Sequence, residues 1–130
     1  LVVIDEWRQA VDRLNRGLPA GSVEDGEDPD DAARRELREE TGYEAGNLTH
    51  MTTMEPANGF SNAVFHYYIA RKCEDEGEQE LDYNESINVE TVTLDGLVES
   101  ARNGELRDGR TAFAVVYYAL FEISSGLPSW

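Results

Sequence analysis

Between Asp28 and Gly42 the chain declares both ends of one helix, and the rest of the fold has to be arranged around it. Asp28 offers a capping oxygen, and Pro29 takes the first helical position, where a missing N–H is no loss. Gly42 tolerates a left-handed ending, so the helix is expected over Pro29 to about Thr41. Ala32, Ala33 and Leu37 give it residues to bury. A second stripe is acidic: Glu36, Glu39 and Glu40 fall within about 100° of the helix circumference. Like charges three and four residues apart destabilise an isolated helix by roughly 0.2–0.5 kcal/mol per pair. A helix that tolerates this is either simply solvated or holds a hard cation. Carboxylate oxygens at this spacing suit Mg²⁺ or Mn²⁺, which complete their shells with water and substrate phosphate.

Charge and composition narrow what surrounds that helix. The 130 residues hold 27 acids against 11 bases, a net charge of -16. Such a surface repels nucleic acid and anionic membranes, so a phosphate-bearing substrate needs a metal ion to bridge it. Ten of the eleven bases are Arg and only Lys72 is Lys. An acid-rich chain nearly free of Lys reads equally as adaptation to high salt or as a merely acidic mesophilic protein. Hydrophobic residues at 40% exclude a disordered tail. Cys73 alone permits no internal disulfide and fits the reducing cytoplasm. No apolar run reaches the roughly twenty residues of a membrane-spanning helix. The chain begins at Leu1 inside an apolar run without an initiator Met, so an N-terminal segment is expected to be missing from a single domain over 1–130.

Around the helix, Leu1 to Ile4 reads as a buried strand, and Val11 to Asn15 as its continuation or partner. Asn47 to Met54 and Ala63 to Arg71 are strand-like, joined by a loop, Glu55 to Asn62, rich in turn residues. Glu74 to Glu85 reads as a solvated acidic loop. Ile87 to Leu94 alternates as a strand, and Leu94 to Asn103 reads as a short helix. Thr111 to Ile123 is apolar nearly all round and predicts a buried helix. Strands interspersed with three helices place the chain in the α/β (α+β) class, with a mixed sheet between helical layers.

The segment Gly21 to Tyr43 resembles the Nudix box: Gly21, Glu27, then Arg35-Glu36-Leu37, Glu39-Glu40 and Gly42. Tyr43 stands where the family pattern has an aliphatic residue. Four Glu, two Gly and one Arg in fixed places arise by chance on the order of 10⁻⁵ times over a chain of this composition. The resemblance implies a Nudix-type α/β/α sandwich and a Mg²⁺-dependent pyrophosphohydrolase. It makes Glu36 and Glu40 the metal ligands, with Glu39 joining through a second ion or a water. Arg35 keeps the carboxylates ionised and aimed, Glu27 fixes the loop against the helix, and Gly21 and Gly42 permit special backbone shapes. Glu39 and Arg35 are thereby assigned to catalysis.

Leu18-Pro19-Ala20-Gly21 further resembles the lead-in of the ADP-ribose pyrophosphatase branch, which implies that the Ala20 carbonyl reaches a metal. Gly59-Phe60-Ser61 ahead of a strand resembles that branch's segment after the box. Gly21, Phe60 and Ser61 are therefore expected to contact substrate, and of the aromatics Trp7, Phe60 and Tyr83, Phe60 is the one expected in a pocket. The branch takes its proton acceptor from an acidic loop before a late strand, which points to Glu85, with Glu80 and Asp82 as alternatives. Two departures stand out: Gly17 replaces the Glu usual before this lead-in, and the branch's N-terminal strand layer, which builds a homodimer, is mostly absent ahead of Leu1.

The expected activity is hydrolysis of the diphosphate linkage in a nucleoside diphosphate joined to another group, ADP-ribose giving AMP and ribose 5-phosphate. The alternative is a Nudix hydrolase of nucleoside triphosphates or dinucleoside polyphosphates; further off stands a non-catalytic nucleotide-sensing module. His50 and His66, apart in sequence and without a Cys partner at metal spacing, read as packed or surface histidines rather than ligands.

Overall fold

The computed structural model describes residues 1–81 and 86–123. In order, the first part forms β1 (Val2–Arg8), β2 (Arg13–Gly17), α1 (Pro29–Thr41), β3 (Tyr43–Glu44), β4 (Asn47–Met54), β5 (Phe65–Arg71) and β6 (Glu74–Asp75). The second adds β7 (Ile87–Thr91), α2 (Leu94–Arg102) and α3 (Gly109–Tyr117). Every ladder among the described residues is antiparallel, and the parallel pairing of a mixed sheet is not among them. The chain divides into two compact units, one of Leu1–Leu18 with the chain from Ser86 onward, the other of Pro19–Glu85.

In the first unit β1 is the central strand of the order β2-β1-β7. The expected opening strand is therefore correct and extends four residues further, because Asp5 and Arg8 gain cross-strand partners in Arg16 and Arg13. Arg16 donates to both oxygens of Asp5 at 2.9 Å and to Glu90 of β7 at 2.6 Å, tying the three strands together. Val3, Leu97, Leu106 and Val115 form the core of this unit. Each such side chain contributes about 1.5–3 kcal/mol when fully buried. Thr93 caps α2, its hydroxyl accepting from the Gly96 N–H at 3.0 Å.

The apolar run at 111–123 corrects one expectation. Helix α3 buries only Thr111, Ala114 and Val115, which share one face at i, i+3 and i+4 spacing. Val116 on another face of α3 is about half exposed, and after Tyr117 the chain widens into a π-type turn, Tyr118–Ile123, in which Phe121 and Ile123 are about half exposed too. Apolar content all round did not make the helix buried all round.

In the second unit α1 spans the expected residues and ends at Gly42, whose φ of 80° needs glycine. A Cβ at Gly42 would also run into the Gly77 carbonyl. The expected side-chain cap from Asp28 is not made: its backbone carbonyl takes the Ala32 N–H at 3.0 Å, while Asp30 and Asp31 face the positive end of the helix. The acidic segment after β5 is not merely solvated. Glu74 and Asp75 pair with β3, and the next residues satisfy carbonyls at the end of α1 that the helix itself leaves unpaired. The Glu80 N–H donates to Glu39 O at 2.7 Å, the Glu76 N–H to Gly42 O at 3.1 Å, and Gln79 Nε2 to Glu40 O at 2.6 Å. The hairpin β4–β5 carries a bulge between His50 and Thr52.

Candidate active site

Helix α1 and the loop before it build one polar cavity of about 320 Å³ within the second unit. Glu36, Glu39 and Glu40 line it from the helix, with Arg35 among them. Ala20, Gly21 and Glu24 line it from the loop. The sequence expectation had gathered the helical glutamates, Ala20 and Gly21 at one place, and they do share this cavity. Glu24, five residues before the helix, is not singled out by the sequence reading, because the helical spacing does not reach it and only the fold of the loop brings it in.

The loop approaches because position 21 has no side chain. A Cβ there would occupy the place of the Glu36 carboxyl group. One residue earlier, the Ala20 N–H donates to Glu40 Oε2 at 3.0 Å. Glu40 is 7% exposed, and a carboxylate so buried needs donors of this kind. The Ala20 backbone thus orients one carboxylate and the absent side chain of Gly21 admits another.

Arg35 connects the two sides. Its Nε and Nη2 grip both oxygens of Glu27 at 2.9 and 3.0 Å, and Nη2 also donates to Ser22 O at 3.0 Å. Its Nη1 reaches Glu36 at 2.8 Å and Glu39 at 3.2 Å, with Glu24 at 3.9 Å. One edge of the guanidinium therefore anchors the loop while one nitrogen is shared by the helical carboxylates. Hydrogen bonding from Arg35, with the Glu24 N–H, holds the Glu27 carboxyl below the usual range. Hydrogen bonding to Glu27 raises the Arg35 guanidinium further above its ordinary value, against the opposing effect of burial.

An all-oxygen set of three carboxylates suits a hard divalent cation. In the present arrangement Arg35 draws Glu36 and Glu39 toward itself, and among the described residues no three His, Cys, Asp or Glu converge on one point. The donor chemistry fits an ion; holding one requires the two glutamates to exchange Arg35 Nη1 for it.

The other expected residues lie elsewhere. Glu85 and Asp82, with Tyr83, fall outside the described residues. Glu80 pairs with Arg38 Nη2 at 3.1 Å and lines a separate cavity with Gly42 and Gly77. Phe60 is 91% exposed and does not line the carboxylate cavity. Ser61 is not at the cavity either, its Oγ accepting the Ala63 N–H at 3.2 Å.

Fold and site together define an α/β domain whose carboxylate centre is carried by one loop and the helix that follows it. Residues 2–113 match the family described as NUDIX domain, and the chain belongs to that family. It is 35% identical over 123 residues to the ADP-ribose pyrophosphatase of Bacillus subtilis strain 168, covering 94% of this chain and 66% of that protein. It is 32% identical to the methanol dehydrogenase activator of Bacillus methanolicus over the same shares of each. A solved structure described as an ADP compounds hydrolase superposes with a TM-score of 0.82 at 22% identity, covering 92% of this chain and 64% of that one. That likeness shows the Nudix-like fold of mixed helices and strands expected from the box. The chain spans just under two thirds of the length of these relatives.

Proposed function

We propose that this domain hydrolyses, with a divalent metal ion, the diphosphate linkage of a nucleoside diphosphate joined to a second group, ADP-ribose first, giving AMP and ribose 5-phosphate. The observation that carries the reading is the cavity in which three glutamates of one helix face the Ala20–Gly21 backbone. The substrate class is supported by the similarity to the ADP-ribose pyrophosphatase.

Glu36, Glu39, Glu40 and the Ala20 carbonyl are the residues that would hold the ion, Mg²⁺ with Mn²⁺ as substitute. Bound there, it supplies neutralisation of diphosphate charge and a more acidic water. Glu40, buried and fixed by the Ala20 N–H, keeps its aim without an ion. Arg35 stays on Glu27 by its Nε–Nη2 edge, so a positive charge remains beside the phosphates when Nη1 gives up Glu36 and Glu39. Glu85 takes the proton in this reading, with Asp82 and Glu80 as alternatives; the ion pair of Glu80 with Arg38 argues against Glu80. Gly21 admits substrate close to the backbone, and Phe60 and Ser61 contact it, the exposed Phe60 ring offering apolar area to bury against a base.

The two units act as one Nudix domain, supported by a family match that runs across both. The cross-strand pair Trp7 and Leu14, 56% and 62% exposed, supports a homodimer. Cytoplasmic residence and a high-salt source are supported by the single Cys73 and by the acidic, Lys-poor composition. The test is a product screen over ADP-ribose, ADP-sugars, NADH, nucleoside triphosphates and diadenosine polyphosphates with Mg²⁺. AMP and ribose 5-phosphate from ADP-ribose support the proposal. No turnover of ADP-ribose sinks it, and nucleotide binding without turnover of anything favours a sensing module.

A further inference from the structure

The hairpin β4–β5 gathers a polar group that uses no residue of the carboxylate cavity. Its ladder pairs His50 with Tyr68, then Thr52 with Tyr67 and Thr53 with His66. Met51 is the extra residue of the bulge. In a regular strand, residues three apart point to opposite faces. One added residue restores the parity, so His50 and Thr53 come to the same face, where His66 and Tyr68, two apart on β5, already lie. The outcome is a convergence: Thr53 Oγ1 lies 2.8 Å from His50 Nε2 and 3.1 Å from His66 Nδ1. The rings have centroids 6.5 Å apart, and Tyr68 meets His50 edge-on at 5.4 Å.

We propose that His50 and His66 form a two-imidazole chelate for a borderline divalent transition-metal ion such as Zn²⁺, Ni²⁺ or Cu²⁺. Two contacts to one oxygen keep the facing nitrogens within about 6 Å of each other. Both can ligate one ion at about 2.0–2.1 Å once they stand within about 4 Å, a closure of about 2 Å. His50, Thr53 and His66 are all exposed, and the Tyr68 ring edge is the aromatic neighbour past which His50 turns. Imidazole selects these ions over Mg²⁺, which prefers the carboxylate oxygens of the other site. No Lys or Arg takes part in these contacts of the group. With two protein nitrogens the shell is completed by water and the Thr53 hydroxyl. Thr53 is the last but one residue of β4 and His66 the second of β5, so an ion held there braces the base of the loop that carries Phe60 and Ser61.

The test is a Cu²⁺ titration of the whole chain in excess Mg²⁺, followed by calorimetry and by the nitrogen superhyperfine pattern in electron paramagnetic resonance. The expected result is one Cu²⁺ per chain with two imidazole nitrogens, weakened about tenfold or more in either His50→Gln or His66→Gln. Thermal melts of both variants should match the parent, since both rings are exposed. A one-nitrogen pattern, a two-nitrogen pattern that vanishes on dilution, or a titration unchanged in the double variant each overturns the proposal. None of these outcomes depends on whether ADP-ribose is a substrate.

Discussion

Gly21→Ala separates the metal site from the fold. Gly21 does not occupy the left-handed region, so alanine can adopt its backbone conformation. The new methyl group would stand where the Glu36 carboxyl lies, and the flexible side chain is what must yield. Displacing it loses the pair between Glu36 and Arg35 Nη1 at 2.8 Å, with side chains 18% and 25% exposed. A pair that open to solvent contributes about 0.2–1 kcal/mol. Replacing glycine at a compatible position returns about 0.4–1 kcal/mol by restricting the unfolded chain. The two effects nearly cancel, so the thermal midpoint should shift by no more than a few degrees. Divalent-ion affinity has no such compensation. Moving a ligand should weaken binding by about 10–100-fold, the loss seen when even a supporting partner of a ligand is removed. Thermal melting and an Mn²⁺ titration followed by electron paramagnetic resonance, on one preparation, measure both. Unchanged Mn²⁺ affinity with an intact fold would refute Glu36 as a ligand. A collapse of stability would refute the view that the glycine serves the carboxylate rather than the packing.

Glu40→Gln keeps an acceptor for the Ala20 N–H but removes the charge; turnover should fall by about 10²-fold or more with the midpoint nearly kept, and near-normal activity would overturn its assignment. Asp108 gives a pH test: burial opposes its ionisation, but bonds from Thr111 Oγ1 at 2.7 Å and from Arg110 outweigh that and hold its carboxyl below the usual range. A folded-state pKa below the unfolded value, about 3.9, means the contribution is present above that pH and fades as acid protonates the folded form. Asp108→Asn should therefore be less stable than the parent at neutral pH, by about 1 kcal/mol, and the gap should close as pH falls below the unfolded value; a constant gap refutes the account. Raising KCl from 0.1 to 1 M shortens the screening length from about 10 to about 3 Å and should raise the midpoint by several degrees, because 27 acids face 11 bases; a flat response rejects high-salt adaptation.

What could be read from the sequence is what lies on one helix. The angular spacing of Glu36, Glu39 and Glu40 follows from 3.6 residues per turn, and the ends at Pro29 and Gly42 follow from backbone sterics, so the acidic stripe and its bounds were legible before any packing was known. Where a residue depends on tertiary partners, legibility stops. The acidic segment after β5 reads as solvated because its side chains are charged, yet its backbone and Gln79 satisfy the carbonyls at the end of α1. Phe60 reads as a pocket residue because it is aromatic and near a matched motif, but its exposure depends on how the loop 55–62 lies.

The same distinction explains the stripe itself. Three like charges within about 100° of a helix strain it unless a countercharge is delivered, and delivery is a matter of tertiary structure. Arg35 meets that need only because Glu27 and the Ser22 carbonyl hold its far edge, leaving Nη1 alone on the carboxylates. A guanidinium fixed at one edge and shared at one nitrogen can surrender two carboxylates without leaving the site. Lysine, a point charge with no second edge, could not be held and shared at once. The spacing of the box thus names the ligands, while the geometry around Arg35 decides whether they can change partners.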